Sequence, residues 1–129
     1  TGSADERPIT QRLLAALPCP ATDLTGATSL GALAALVAQC RLVVCNDTGI
    51  SHVAAAVQTP SVVVASGSDV ARWAPLNRQL HTVLWRDMPC RPCACHECPL
   101  IGHPCARGVK VGDVARQARH QLAIGEAHA

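Results

Sequence analysis

Asn46-Asp47-Thr48-Gly49-Ile50-Ser51-His52 follows the apolar run Leu42-Val43-Val44-Cys45 and precedes the helix-forming Val53-Ala54-Ala55-Ala56-Val57. A short polar loop between a strand and a helix of small residues turns backbone N–H groups, a hydroxyl and an imidazole toward one point, an arrangement that holds a phosphate. Thr48 supplies the hydroxyl and Gly49 allows close backbone approach, while the N–H groups of Ile50, Ser51 and His52 are expected to be unpaired at the helix start. His52, one turn in, can donate to the same anion. Taken alone, the loop has a plainer account, in which Asp47 or Thr48 caps the helix and His52 is a satisfied surface residue.

The elements that must position this loop are legible on either side of it. Leu42–Cys45 and Ser61-Val62-Val63-Val64-Ala65 are continuously apolar and β-branched, which suits strands buried on both faces. A helix between them makes a right-handed parallel unit, and His81-Thr82-Val83-Leu84-Trp85 reads as a third strand. In such a sheet ligands bind beyond the carboxyl ends of the strands, so the loops at 46–51 and 66–69 and the turn at 1–6 are expected to share one rim.

Pro8 suits a first helical position and Ile9, Leu13, Leu14 and Leu17 recur at helical spacing, so helix one is expected over 8–17, stopped by Pro18 and Pro20. Thr28 or Ser29 can cap a second helix with Leu30, Leu33, Ala34, Val37 and Cys40 on its apolar face. Asp113 opens a last helix with Val114, Ala118 and Leu122 inward and Arg116, Arg119 and His120 outward, and the tail after Gly125 is expected to fray.

With 129 residues the chain reads as one α/β domain over 1–129. Because Thr1-Gly2-Ser3 leads at once into a helix pattern, it also reads as starting at the turn after a strand that lies before it. Eleven cations are dispersed against nine acids, and two tryptophans are the only large aromatic rings. Neither a nucleic-acid footprint nor a base-stacking platform is present, so a small anion fits better than a polymer. Without a membrane-length apolar run or a signal-like start, the sequence reads as soluble and cytoplasmic.

Leu24 to Leu36, Val43 to Ala56, Thr59-Pro60 and Ala71-Arg72-Trp73-Ala74-Pro75 together resemble glycosyltransferase family 9, which holds the ADP-heptose lipopolysaccharide heptosyltransferases. The stretch Asp47-Thr48-Gly49-x-x-His52-x-x-Ala55-Ala56 is the most specific part. The resemblance covers nearly the whole chain but only the carboxyl-terminal, donor-binding half of such enzymes. It implies a Rossmann-like parallel sheet flanked by helices, the carboxyl-terminal half of a GT-B fold, incomplete at its amino-terminal edge.

The resemblance further implies an inverting transferase with ADP-heptose as donor and a lipopolysaccharide-core acceptor bound through a missing amino-terminal domain, working at the inner face of the membrane. Asp47 and His52 would be its catalytic residues, with Thr48, Gly49, Ile50, Ser51, Glu6 and Ser68 around the nucleotide-sugar. Glu6 falls where the family keeps an acid near the ribose. The chain departs at Ala65-Ser66-Gly67-Ser68-Asp69-Val70, where the family usually reads Phe-Gly-Pro-Thr-Asp-Pro. The family's earlier lysine and acceptor-side base have no counterpart here, so this chain alone is expected to be inactive.

A segment rich in Pro and Cys, 88–107, fits neither helical nor strand period. Cys90, Cys93, Cys95, Cys98 and Cys105, with His96 and His103, give two overlapping Cys-x-x-Cys pairs that could chelate zinc. Structural zinc pairs usually sit on separate knuckles, whereas these are nearly continuous. No cofactor is therefore expected, and free thiols rank before zinc or an iron–sulfur remnant, with disulfides last. A metal-stapled interaction module and a non-catalytic anion-binding domain stand as the alternative readings. Cys19, Cys40 and Cys45 are expected to be buried small hydrophobes.

Overall fold

The computed structural model describes residues 1–93, 95 and 97–127. The chain divides into two compact units, Thr1–Leu36 and Val37–Ala129.

In the first unit a short 3-10 turn over Ala4–Glu6 leads into helix α1, Arg7–Ala16, with Pro8 in its first turn as its missing N–H allows. Gly26 has a φ of +69°, a conformation that suits glycine, and its N–H donates to the Gly2 carbonyl at 2.8 Å. Arg7 adds a bond to the Thr25 carbonyl at 2.9 Å, and Thr25 a hydroxyl contact with Thr10 at 2.9 Å. The apolar stripe of α1 is real but uncovered, since Ile9 is 68 % exposed and Leu13 60 %. Helix α2, Leu30–Ala38, starts behind Ser29, whose Oγ accepts from the Ala32 N–H at 3.2 Å as a cap should.

The second unit is built on a three-stranded parallel sheet of β1 (Val43–Asn46), β2 (Ser61–Ala65) and β3 (His81–Trp85), ordered β1-β2-β3. Helix α3, Gly49–Ala56, joins β1 to β2 and packs against both. Two four-residue helices that carry no periodic signal follow, α4 (Val70–Trp73) and α5 (Pro104–Arg107), the second inside the segment expected to be irregular. The last helix, α6, runs Val111–Ala127 and packs against β2, so it starts before Asp113 and continues past Gly125.

The expectation that both leading strands are buried on both faces holds for β2 alone. Val62 and Val63 are fully buried, whereas Val44 on β1 is 53 % exposed. The reason is cover: on β1 Val43 and Cys45 are half-buried while Val44 and Asn46 are exposed, so one face is packed and the other open, whereas β3, also at an edge, buries His81 and Val83. Val63, Ala65, Ala74 and Val83 form the buried cluster, with Cys45 and Val70 against it. Fully buried Ser61 and His81 are paired, Oγ to Nδ1 at 2.9 Å, so each buried polar group has a partner. Burial lowers the His81 pKa, favouring the neutral ring. On α6, Gln121 reaches back to the sheet, donating to Thr82 Oγ1 at 3.0 Å and to the Gln79 carbonyl at 3.1 Å.

Candidate functional site

The 46–52 loop leaves β1 at its carboxyl end. The Asp47 N–H is still held by the Val64 carbonyl at 3.1 Å, and the Thr48 N–H turns back to Asn46 at 2.9 Å. Thr48 is the extended residue before α3, and its side chain makes no capping bond. Among the described residues, the N–H groups of Gly49 and Ile50 have no acceptor. The Ser51 N–H is not open as expected: it donates to the Thr48 carbonyl at 3.0 Å, and the buried Ser51 hydroxyl binds the same carbonyl at 2.8 Å. Ser51 therefore shapes the loop from inside, because a tight first turn consumes the donors that a wider one would leave free.

Asp47 and Ser68 are brought together, the Ser68 hydroxyl donating to the Asp47 carboxylate. The loops after β1 and β2 thus meet at one rim, as the sheet rule requires. The turn at 1–6 belongs to the first unit. There Glu6 is occupied locally, its Oε2 accepting from the Ser3 N–H at 2.7 Å and the Ser3 hydroxyl at 3.1 Å in a capping box. Asp69, next to Ser68, caps α4 by accepting from the N–H groups of Ala71 at 3.0 Å and Arg72 at 3.4 Å.

His52 is exposed and meets Trp73 edge to face, ring centroids 6.4 Å apart and planes at 67°. Arg72 lies over the same indole at 4.9 Å. Trp73 is thus a half-exposed platform between an imidazole and a guanidinium.

Two cations of this region carried no sequence signal. Arg72 was part of the resembling stretch without a role. Arg91 lies inside the Cys-rich segment, 23 positions from Ser68, yet its Nη2 donates to the Ser68 carbonyl at 2.7 Å and its Nη1 to the Arg86 carbonyl at 3.1 Å. Cys93 continues this seam, its N–H donating to the Gly67 carbonyl at 2.8 Å. The Cys-rich segment is therefore fastened to the loop that holds Asp47.

Cys90, Cys95 and Cys98 are exposed and Cys93 half-buried, all as free thiols. The Cys95 thiol is pushed up by its hydrogen bond with Cys93 and the negative charge that neighbouring thiols would carry. Among the described residues no three metal-ligating side chains converge, and His96 lies outside those residues. Cys45 is raised to about 11, first by burial and then by the Asp47 carboxylate. Cys19 is exposed, not buried as expected, because it follows a helix whose apolar face is itself uncovered.

The model of glycosyltransferase family 9 (heptosyltransferase) matches residues 1–102. Lipooligosaccharide heptosyltransferase 2 of Campylobacter jejuni is 27 % identical over 100 residues, which is 78 % of this chain and 31 % of the relative. The protein of the same name from Haemophilus influenzae is 34 % identical, over 59 % of this chain and 23 % of its own. Lipopolysaccharide heptosyltransferase 2 of Escherichia coli is 33 % identical over 64 % of this chain and 25 % of its own. The chain thus spans a quarter to a third of the curated relatives it matches. No solved structure matches it significantly. The Asp47–His52 loop, seated at the carboxyl end of a parallel strand, lies inside the matched region, and the chain belongs to glycosyltransferase family 9.

Proposed function

We propose that this chain is the donor-binding part of an inverting glycosyltransferase that moves heptose from ADP-heptose onto a lipopolysaccharide-core acceptor. The supporting observation is the family match over a loop whose Gly49 and Ile50 amides have no acceptor among the described residues and whose His52 ring is exposed. In this reading those amides, the Thr48 hydroxyl and His52 meet the diphosphate as it gains charge on leaving, so they act by electrostatic stabilisation. Asp47, held by Ser68, stands beside the transferred sugar, and direct attack by an acceptor hydroxyl inverts the anomeric carbon.

Acceptor binding and the general base belong to a further domain, so the isolated chain binds donor weakly and has no turnover. As part of this proposal the reaction runs in the cytoplasm at the inner membrane face. Among the described residues no helix is long and apolar enough to cross a membrane. Calorimetric titration of the protein with ADP and with inorganic phosphate tests the reading. Saturable binding of ADP well above that of phosphate is expected, and equal affinities would favour a plain anion site.

A further inference from the structure

Beside the Asp47–Ser68 junction, a cavity of about 430 Å³ bordered by Ser68 opens beyond the carboxyl ends of β2 and β3; Asp69, Arg78, Asp87 and Arg91 bring its charges, and Val70, Ala71, Trp85 and Pro92 make the rest of the lining apolar. That volume is in the range of small-molecule sites. Its walls are pre-set. The Trp85 indole N–H donates to Asp87 at 3.0 Å, fixing the tilt of a ring that is 46 % exposed. Arg91 is pinned by its two carbonyl bonds and Asp69 by the amides it caps. Among the described residues the Arg78 guanidinium makes no hydrogen bond or ion pair, and no ion pair joins these acids to these cations.

The composition selects the ligand. An anion entering would face two carboxylates, a cation would face two guanidiniums, and an apolar molecule would leave the Arg78 guanidinium without a partner. A polyhydroxyl ring suits both kinds of wall: its hydroxyls donate to the carboxylates and accept from the guanidiniums, while its C–H face lies on the indole and its apolar neighbours. We propose that this cavity is a pyranose subsite of the transferase, with Trp85 as its platform and Arg78 and Asp87 as its hydroxyl partners. The proposal rests on the glycosyltransferase reading above and adds the sugar's position to it. Two sources share this chemistry, the sugar carried by the donor and the terminal sugar of the acceptor.

The complete enzyme that carries this chain is the material for the test, with Trp85→Ala, Trp85→Phe and Arg78→Ala compared with wild type for ADP affinity, ADP-heptose affinity and acceptor KM. If the donor sugar occupies the cavity, Trp85→Ala weakens ADP-heptose at least 10-fold and leaves ADP unchanged. If the acceptor sugar does, acceptor KM rises at least 10-fold with both nucleotide affinities intact. Trp85→Phe keeps most binding in either case, and Arg78→Ala shifts the same substrate. Folded variants that move neither substrate overturn the subsite while leaving the donor reading standing. A wild type that binds neither ADP nor ADP-heptose overturns the donor reading, and the subsite with it.

Discussion

The Ser68 hydroxyl donates to the Asp47 carboxylate, joining the loop that ends β2 to the loop that ends β1. One hydrogen bond thereby ties the family's most specific stretch to a loop in which this chain departs from the family pattern. Ser68 is held in turn from behind by Arg91. In the complete enzyme, Asp47→Ala and His52→Ala are expected to lower kcat by about 10²-fold, the scale of a lost stabilising group at a site of developing charge. Thermal midpoints should hardly change, because His52 is exposed and Asp47 only half-buried. Steady-state rates at wild-type level would remove the site assignment.

Arg91→Ala is expected to act on the same site at a distance. Its guanidinium holds two backbone carbonyls, so its loss should loosen the 66–69 loop and lower turnover by about 10-fold, an effect of misplacement. Arg91→Lys, without the planar fork, should recover little. Equal kcat for all three proteins would show the link to be idle.

His81 predicts a pH dependence of stability. The folded-state pKa is lowered by burial, so the unfolded chain takes up a proton near pH 6.5 while the folded chain does not. The stabilisation is complete above about pH 6.5 and is lost as the pH falls from there toward the lower folded value. Denaturant midpoints between pH 7.5 and 5.5 should fall, with a smaller slope in His81→Asn.

The centre and the edge of the sheet should respond differently to truncation. Val63→Ala removes methyls from a fully buried site and should cost about 2 kcal/mol, whereas Val44→Ala, 53 % exposed, should cost less than about 1 kcal/mol. Urea unfolding of both variants checks the contrast, and equal costs would contradict the open face of β1 at Val44.

Thiol labelling separates the cysteines. Cys45, raised to about 11, and buried Cys105 should react slowly with iodoacetamide at pH 8, and exposed Cys90 and Cys98 fast. Peptide mass spectrometry of briefly labelled native protein reads the order directly.

What sequence reasoning recovered was what local pattern controls. The β-branched runs at 43–45 and 61–65, the small-residue helix between them and the Ser29 cap each follow from neighbours a few positions away. Burial of Val44 could not be read that way, since it depends on which elements cover that face of β1, and an apolar run looks the same whether or not a helix lies over it. Nor was the link from Arg91 to Ser68 legible, because a segment without period gives no rule for where a side chain 23 positions away ends up. Ser51 was misread for a smaller reason. Whether a first-turn amide is free depends on how tightly the turn winds, which residue types alone do not specify.

Gly67 sits directly under Cys93, and a methyl group placed there would lie 3.2 Å from the Cys93 side chain. The two segments therefore constrain one another as parts of a single fitting. Anyone transplanting the Cys-rich segment into a related scaffold would have to let the Cys93 side chain give by a few tenths of an ångström wherever the position equivalent to 67 carries a β-carbon.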